Sequence, residues 1–271
     1  MKELFVVGDI HGENQKFEQL LTSWKCDKQQ LVLTGDLIDR GPNSYAVLKR
    51  ALELKEKYGA VTVGGNHEWM FLNWLDNPED AWYSQWRNDK SIVNYHPEAH
   101  DSTSILYFRN GGLTNLKSFY NGEYNFNAPP SQHANYLKEK FGAIVDFIRS
   151  MPSFYEWQDF VCVHAGVDLY LDNWKNTSAF DMCWIREDFH WATNNTDRVF
   201  VFGHHPTKYL NDDRSLDVWV SPCGTKLGID GGAAYGGVLH GLVVKEEVVE
   251  TYSVTPDNIM VHSSLGRRAV V

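Results

Sequence analysis

The sequence predicts a mixed α/β fold in which strands and helices alternate early in the chain and strands dominate later. In the first 75 residues, three short apolar runs alternate with two stretches of helical periodicity. Six further strand-like runs follow in the second half, and the last two have the spacing of a hairpin. Parallel strand–helix units followed by hairpins predict a two-layered β core flanked by helices.

Apolar periodicity defines the individual elements. In the stretch 45–58, Val47, Leu48 and Ala51 recur at helical spacing and predict one buried face. The run 160–164 is continuously apolar at its start and predicts a buried strand. Helices are predicted at 14–24, 45–58 and 136–150, and strands at 4–8, 31–35, 60–64, 160–164, 198–203, 218–220, 226–230, 238–244 and 247–254.

Residues 76–135 differ in composition from the flanking chain. Trp and Tyr residues, among them Trp82 and Trp86, are interleaved here with Asn, Asp, Ser and Pro. We expect a helical, aromatic-rich cap or insertion beside the functional site, within a single domain that covers 1–254. The remaining segment, 255–271, is polar at first and then basic, and we expect a loosely held tail.

The composition excludes several classes of function. A formal net charge of −10 argues against binding to nucleic-acid polymers or to anionic membranes. No apolar run reaches the length of a membrane span, and the chain opens on Met-Lys-Glu before a strand, without the pattern of a signal peptide. We therefore expect a cytoplasmic protein that acts neither on a nucleic-acid polymer nor at a membrane.

The cysteine pattern agrees with a reducing compartment. Cys26, Cys162, Cys183 and Cys223 lie far apart in the sequence, and none forms a C-x-x-C pair. This arrangement favours reduced thiols over a disulfide framework or a zinc ribbon.

Polar residues follow the predicted strands at five places. Gly-Asp-Ile-His-Gly, Gly-Asp-Leu-Ile-Asp-Arg-Gly and Gly-Asn-His-Glu come after the first three strands, and His-Ala-Gly and Gly-His-His come after two later ones. Singly, such residues are often turn residues, helix caps or buried polar groups. Together they predict a site for two metal ions with a bridging water or hydroxide. The candidate ligands are Asp9, His11, Asp36, Asn66, His164 and His204.

Three further residues complete a candidate hydrolytic mechanism. Arg40 follows Asp36 by four positions and is well placed to bind phosphate oxygens in a bidentate manner, although a surface salt bridge is the alternative. His67, next to the ligand Asn66, is expected to face the substrate, with Asp39 orienting its imidazole. Such a pair is suited to be the general acid for an alkoxide leaving group.

The motifs G-D-x-H-G, G-D-x-x-D-R-G and G-N-H-E resemble the signature of the phosphoprotein phosphatase branch of the calcineurin-like metallophosphoesterases. The resemblance extends to His-Ala-Gly at 164–166 and Gly-His at 203–204. It implies a four-layer β-sandwich flanked by helices. By the same resemblance, Asp36 bridges the two metals, and His67, Asp39 and Arg40 are catalytic. The first metal is then held by Asp9, His11 and Asp36, and the second by Asp36, Asn66, His164 and His204.

A second phosphate-binding arginine follows from the same resemblance. The segment Cys183-Trp184-Ile185-Arg186-Glu187 is similar to a Trp-Ile-Arg element of bacterial and phage members, which implies a catalytic role for Arg186. The alternative is an arginine at a helix start that pairs with Glu187 or Asp188. His205 stands where many members carry Thr, and we expect it to lie outside the ligand set.

The sequence leaves three functions open. The leading hypothesis is a protein serine/threonine phosphatase, in which a metal-bridging hydroxide attacks phosphorus in line and His67 protonates the leaving oxygen. Glu68 favours this branch, since symmetrical diadenosine tetraphosphate hydrolases usually carry Asp at this position. The alternative is a dinucleoside polyphosphate hydrolase whose Trp and Tyr residues stack on adenine. A binding protein on the same fold is a third possibility, but every expected ligand position is occupied.

The ligand types leave the metal identity open. Mixed oxygen and imidazole sites accept manganese, iron, zinc or nickel. We expect two divalent or trivalent ions, with Mn²⁺ supporting activity in vitro and Fe or Zn as alternatives. The expected substrate is a phosphoprotein or a small phosphoester.

Overall fold

A computed structural model of the protein describes residues 3–78, 103–120, 123–125, 127–245 and 248–267. Within these residues two β-sheets pack face to face, and helices lie on their outer surfaces. The strands are β1 Glu3–Val7, β2 Gln29–Leu33, β3 Val61–Thr62, β4 Phe154–Trp157, β5 Phe160–Val163, β6 Val199–Phe202, β7 Trp219–Val220, β8 Lys226–Gly228, β9 Leu239–Val244, β10 Val248–Val254 and β11 Met260–Arg267. The helices are α1 Asn14–Leu21, α2 Ser44–Tyr58, α3 Asn66–Asp76, α4 Thr103–Arg109, α5 Gly112–Phe119, α6 Pro130–Lys140, α7 Gly142–Arg149, α8 Ala179–Trp184 and α9 Glu187–His190.

The first sheet combines parallel and antiparallel pairing. Its strand order is β11-β10-β9-β1-β2-β3. Strands β1, β2 and β3 are parallel, as the early strand–helix alternation predicts, with Val6 opposite Val32 and Val32 opposite Val61. Strands β9 and β10 form the predicted hairpin and continue the sheet on the other side of β1.

The second sheet has the order β4-β5-β6-β8-β7. Its centre is parallel, because β5 pairs with β6 and β6 with β8 in the same direction. The outer strands β4 and β7 are antiparallel to their neighbours. Each sheet therefore presents the carboxyl ends of several parallel strands at one edge.

Alternating side chains build three apolar layers. In β1, Leu4 and Val6 pack between the two sheets, whereas Phe5 and Val7 face the helices. The second sheet repeats the pattern: Phe160 and Cys162 join the layer between the sheets, and their neighbours on β5 pack against the outer helices. The result is a four-layer arrangement of helices, sheet, sheet and helices, which confirms the predicted fold class.

Some predicted elements differ from the structure. The helix expected over 136–150 is two helices, because Phe141 leaves helical geometry (φ −124°, ψ 29°) between α6 and α7. The first helix ends at Leu21, three residues before the predicted end. Residues 260–267, predicted as part of a loose tail, form the edge strand β11, whose backbone pairs with β10 from Met260 to Arg267.

Part of the predicted insertion lies in the described residues. Helix α4 packs on α3, where Tyr107 stacks on Trp74 with ring centroids 5.4 Å apart, and helix α5 packs on α2. Trp82 and Trp86 lie outside the described residues, so the cap-like role of 76–135 stays a prediction, as does the single domain over 1–254.

Among the described residues, no helix combines the length and apolar character that crossing a bilayer requires. All four cysteines are free thiols; Cys162 and Cys183 are buried, and Cys26 and Cys223 are exposed. The cytoplasmic location expected from the sequence stays a prediction.

Candidate metal centre

The candidate ligands converge where parallel strands of both sheets end. Strands β1, β2 and β3 end in the loops that carry the early motifs, and β5 and β6 end in the loops that carry the later histidines. All six side chains are buried. The structure thus brings together residues up to 195 positions apart, as the hydrogen bond from the backbone N–H of His204 to Asp9 Oδ2 (2.9 Å) illustrates.

The loops that form this centre have unusual backbone conformations. His11, Asp36, Asp39, Arg40 and His204 all have positive φ angles, between +47° and +69°. A non-glycine residue in this left-handed region costs about 1–3 kcal/mol and persists where surrounding contacts hold it. Concentration of such residues in one place is typical of a functional site.

Asp36 lies at the middle of the cluster. Its Oδ2 is 3.4 Å from Nε2 of His11, and its Oδ1 is 3.4 Å from Nε2 of His164. Oδ1 also accepts a hydrogen bond from the backbone N–H of His67 at 3.0 Å. The carboxylate therefore faces both halves of the site, as expected of a bridging ligand.

Hydrogen bonds set the tautomer of His11. Nδ1 lies 2.7 Å from the carbonyl oxygen of Ile38, which can only accept, so Nδ1 carries the proton. The lone pair of the neutral ring is then on Nε2, which faces Asp36. Arg40 Nη1 donates to this nitrogen.

The second half of the site is built in a similar way. Nδ1 of His164 donates to the carbonyl oxygen of Thr34 at 2.8 Å, which leaves the lone pair on Nε2. That nitrogen and Nδ1 of His204 each lie 3.0 Å from Oδ1 of Asn66. Two imidazoles, an amide oxygen and the Asp36 carboxylate thus surround one point, and Asp36, His164 and His204 alone already form a group able to hold a cation.

Asp9 joins the cluster beside another buried acid. Its Oδ2 accepts from His204, but its buried Oδ1 has no hydrogen-bond partner among the described residues. The same is true of Nε2 of His67 and Nε2 of His204. Asp230, at the end of β8, is also buried, and repulsion from it and from Asp36 adds to burial in raising the pKa of Asp9.

The electrostatics of the cluster favour bound cations. Burial raises the pKa of Asp36 to about 7 against the opposing effect of Arg40. Burial lowers the pKa of His164 to about 4 and depresses the pKa values of His11 and His204 as well. Neutral imidazoles with inward lone pairs, crowded carboxylates and unpartnered buried atoms are what a pair of metal ions would satisfy. The residues therefore fit the two-metal centre that the sequence predicts.

His67 and Asp39 form the expected pair behind the cluster. Nδ1 of His67 lies 2.6 Å from Oδ2 of Asp39. The other ring nitrogen, Nε2, lies 3.8 Å from Oδ2 of Asp36 and so points into the site. Burial lowers the pKa of His67 and raises that of Asp39.

The two candidate phosphate-binding arginines come from different sheets. Arg40 follows β2, and its guanidinium lies over the ring of Tyr235 at 4.9 Å. Arg186 immediately precedes α9, and its Nη1 donates to Nδ1 of His205 at 2.7 Å. Arg186 is thus not limited to a local pairing with Glu187 or Asp188.

Two residues of the site escaped the sequence-based prediction. Glu68 accepts through Oε2 from the backbone N–H groups of Asp36 (2.9 Å) and Gly65 (3.0 Å), and through Oε1 from that of Leu37 (2.8 Å). It therefore holds the loop of the central ligand. Asp230 had a signal in the sequence, because Ile-Asp-Gly-Gly at 229–232 repeats the pattern of a strand followed by Asp and Gly.

Comparison with known proteins agrees with this geometry. The model of the family described as calcineurin-like phosphoesterase matches residues 3–145. The chain belongs to this family. Calcineurin-like phosphoesterases are hydrolases, and the five strand-end loops described above form the candidate centre of this member.

Individual relatives differ in the substrate that their names give. The asymmetrical bis(5'-nucleosyl)-tetraphosphatase PrpE of Bacillus mycoides is 25% identical over 276 residues, which are 92% of each chain. The serine/threonine-protein phosphatase 1 of Salmonella typhimurium is 41% identical over 95 residues, or 31% of this chain and 42% of that protein. Among solved structures, the cold-active protein-tyrosine phosphatase of a psychrophilic Shewanella species has a TM-score of 0.56 at 15% identity, covering 98% of this chain and 80% of that one, which shows the shared fold.

Proposed function

We propose that this calcineurin-like phosphoesterase hydrolyses phosphate esters or anhydrides with two metal ions. The observation that carries the proposal is the position of Asp36, whose two carboxylate oxygens face His11 on one side and His164 on the other. The ligands of the first ion would be Asp9, His11 and Asp36, and those of the second Asp36, Asn66, His164 and His204. Bound ions would polarise the phosphoryl group and lower the pKa of a water molecule.

The protein's own groups then have distinct roles. Arg40 and Arg186 bind non-bridging oxygens of the phosphate and stabilise the charge that develops on them. His67 holds a proton on Nε2 for the leaving oxygen, and Asp39 orients the ring through Nδ1 and stabilises its protonated form. Glu68 keeps Asp36 in place through the backbone.

We propose a dinucleoside polyphosphate as the substrate class. The Bacillus mycoides relative, which matches over 92% of each chain, is named for bis(5'-nucleosyl) tetraphosphate, whereas the match to the protein phosphatase covers less than a third of this chain. The motifs alone favoured a protein serine/threonine phosphatase over a dinucleoside polyphosphate hydrolase, and the proposal here reverses that ranking. A phosphoserine or phosphothreonine protein stays the second candidate, supported by 41% identity over the segment that aligns with the Salmonella phosphatase.

The metal centre is tested by titration. Protein freed of metal with a chelator is titrated with Mn²⁺ in a calorimeter, and two ions are expected per chain. Replacement of the shared ligand, Asp36→Asn, is expected to weaken both binding events, whereas Asp213→Asn on an exposed loop is the matched control. Wild-type binding of a single ion, or two unchanged events in Asp36→Asn, would contradict the two-metal proposal.

The substrate is tested by comparing kcat/KM values. Diadenosine tetraphosphate and a phosphoserine peptide are assayed in parallel with the Mn²⁺-loaded protein. A higher kcat/KM for the dinucleotide is expected. A clear preference for the peptide would instead support the protein phosphatase.

A further inference from the structure

A hydrogen-bonded turn presents an exposed tyrosine beside the candidate metal centre. The turn follows Asp230 and contains a short 3₁₀ helix at Ala233–Tyr235, flanked by Gly232 (φ +68°) and Gly236 (φ +74°). Buried Lys16 of α1 donates through Nζ to the carbonyl oxygens of Ala233 (2.8 Å) and Gly237 (3.0 Å). These bonds tie both ends of the 3₁₀ helix to the body of the protein, so the position of the tyrosine is preorganised.

The ring of Tyr235 adjoins a phosphate-binding group. The Arg40 guanidinium carbon lies 4.9 Å from its centroid, although 63% of the tyrosine is exposed. A large exposed aromatic residue on a firmly anchored turn buries little apolar surface in the folded chain. Its ring is instead available to stack on a ligand that Arg40 holds by a phosphate.

A comparable arrangement stands beside the other arginine. Arg186 donates to His205, and the His205 ring lies 5.7 Å from that of Tyr209. Tyr209 is 55% exposed, and Nζ of Lys208 lies 4.9 Å from its centroid. Each phosphate-binding arginine therefore adjoins an exposed tyrosine, directly at Tyr235 and through His205 at Tyr209.

The two arrangements belong to one site. Arg40 donates to Nε2 of the candidate ligand His11, and Arg186 donates to His205, which directly follows the candidate ligand His204. They approach these ligands from different sides, since Arg40 follows β2 of the first sheet, whereas Arg186 and Tyr209 lie between strands of the second sheet. The pattern is one candidate metal centre with two arginines, of which Arg40 contacts Tyr235 and Arg186 is linked to Tyr209 through His205.

We propose that Tyr235 and Tyr209 are nucleoside-binding residues, each stacking on one base of a dinucleoside polyphosphate whose phosphates contact Arg40 and Arg186. Any nucleobase can stack on an aromatic side chain, and a cationic side chain beside that ring adds to the attraction. A phosphoserine peptide carries no planar group at a fixed distance from its phosphate, so the two rings favour the nucleotide. This inference rests on the proposed substrate class and adds the residues that select it.

The test uses the full-length, Mn²⁺-loaded protein with Tyr235→Ala, Tyr209→Ala and the matched variants Tyr235→Phe and Tyr209→Phe. The readout is the ratio of kcat/KM for diadenosine tetraphosphate to kcat/KM for a phosphoserine peptide without aromatic residues. Each alanine variant is expected to lower this ratio about tenfold through KM for the dinucleotide, since one stacked base is lost. The phenylalanine variants keep the ring and are expected to keep the ratio.

Binding gives a second readout that does not depend on turnover. Calorimetry with a methylene-bridged, hydrolysis-resistant analogue of diadenosine tetraphosphate is expected to show about tenfold weaker binding to each alanine variant. Wild-type hydrolysis of the dinucleotide with unchanged ratios and affinities in the alanine variants would overturn the roles of Tyr235 and Tyr209 alone. Hydrolysis of the peptide but not of the dinucleotide by the wild type would instead overturn the proposed substrate class.

Discussion

Nδ1 of His67 lies 2.6 Å from Oδ2 of Asp39, and both side chains are fully buried. The bond fixes the orientation of the imidazole and directs Nε2 toward Asp36. Asp39 is held in turn by its backbone, whose N–H donates to the Ser44 hydroxyl at the start of α2. The sheet edge and the first turn of a helix thus jointly aim one ring nitrogen at the metal centre.

The role of this pair as general acid predicts a selective loss in Asp39→Asn. Without the carboxylate the protonated ring is less stable, and kcat is expected to fall about 10²–10⁴-fold for an alkyl phosphate. An aryl phosphate with a good leaving group needs less protonation and is expected to lose less. Steady-state kinetics with both esters measure the difference. Asp197→Asn, whose side chain is 86% exposed, is the control, and equal losses with both esters would contradict the acid role.

The turn between α4 and α5 predicts a role for Gly111 in positioning Arg40. Gly111 has φ +102°, and a Cβ there would overlap the backbone N of Arg40 and lie 3.0 Å from its Cα. Gly111→Ala is therefore expected to displace the arginine and to lower kcat/KM by about tenfold to a hundredfold.

Gly59 offers the matched comparison for this prediction. It also has positive φ (+71°), but a Cβ there would meet no atom within 4 Å. Thermal unfolding is expected to show a loss of about 1–2 kcal/mol from the left-handed backbone in Gly59→Ala. The loss is expected to be larger in Gly111→Ala, which adds the overlap with Arg40, and only this variant is expected to lose activity. Full activity of Gly111→Ala would refute the positioning role.

We expect Lys226 of β8 to position Arg186 through hydrogen bonds to the helix that follows the arginine. Its buried Nζ donates to the carbonyl oxygens of Phe189 (2.6 Å), His190 (3.3 Å) and Ala192 (2.5 Å), at the end of the helix that Arg186 precedes. Lys226→Met leaves these carbonyls unpaired and is expected to cost about 1–3 kcal/mol of stability. In this variant, exchange of the backbone amide hydrogens of residues 187–192 is expected to be faster. The KM for the phosphorylated substrate is expected to rise, because Arg186 is less well positioned. Lys175→Met, which removes an exposed ion pair with Glu156, is the control, and unchanged exchange would contradict the link.

The cysteines predict a pH-dependent labelling pattern. Partial burial acts to raise the pKa of the Cys223 thiol, but hydrogen bonds from Ser221 and Thr225 outweigh it and lower the pKa to about 7. Because the thiolate is the reactive form, alkylation of Cys223 by iodoacetamide should accelerate as the pH rises through about 7. Burial raises the pKa of Cys183, which is expected to stay unlabelled in the folded protein. Peptide mass spectrometry after timed labelling measures the alkylation of both cysteines. The range from pH 6 to 8 covers about one unit on each side of the Cys223 pKa. An alkylation rate of Cys223 that does not change over this range would contradict the prediction.

Much of the fold followed from local patterns. Alternation and helical spacing are properties of short segments, so β1, β2 and α2 were predicted close to their observed bounds. The break at Phe141 was not, because it depends on how α6 and α7 pack. The strand at 260–267 was missed because its apolar residues Met260, Val261 and Leu265 do not alternate regularly with polar ones. Its backbone is ordered by pairing with β10.

The sequence by itself determined the family and the six candidate ligands, because strand, glycine and ligand are adjacent in the chain and parallel strands end at a common edge. Only the tertiary structure decided which atoms meet. His164 Nε2 and Asn66 Oδ1 are 3.0 Å apart across 98 positions, and Lys16 reaches the turn of Tyr235 across more than two hundred. Such contacts arise from the packing of two sheets, and so do the buried position of Asp230 and the contact of Arg40 with Tyr235. Local sequence pattern specifies which groups a strand end offers, whereas long-range packing specifies their partners.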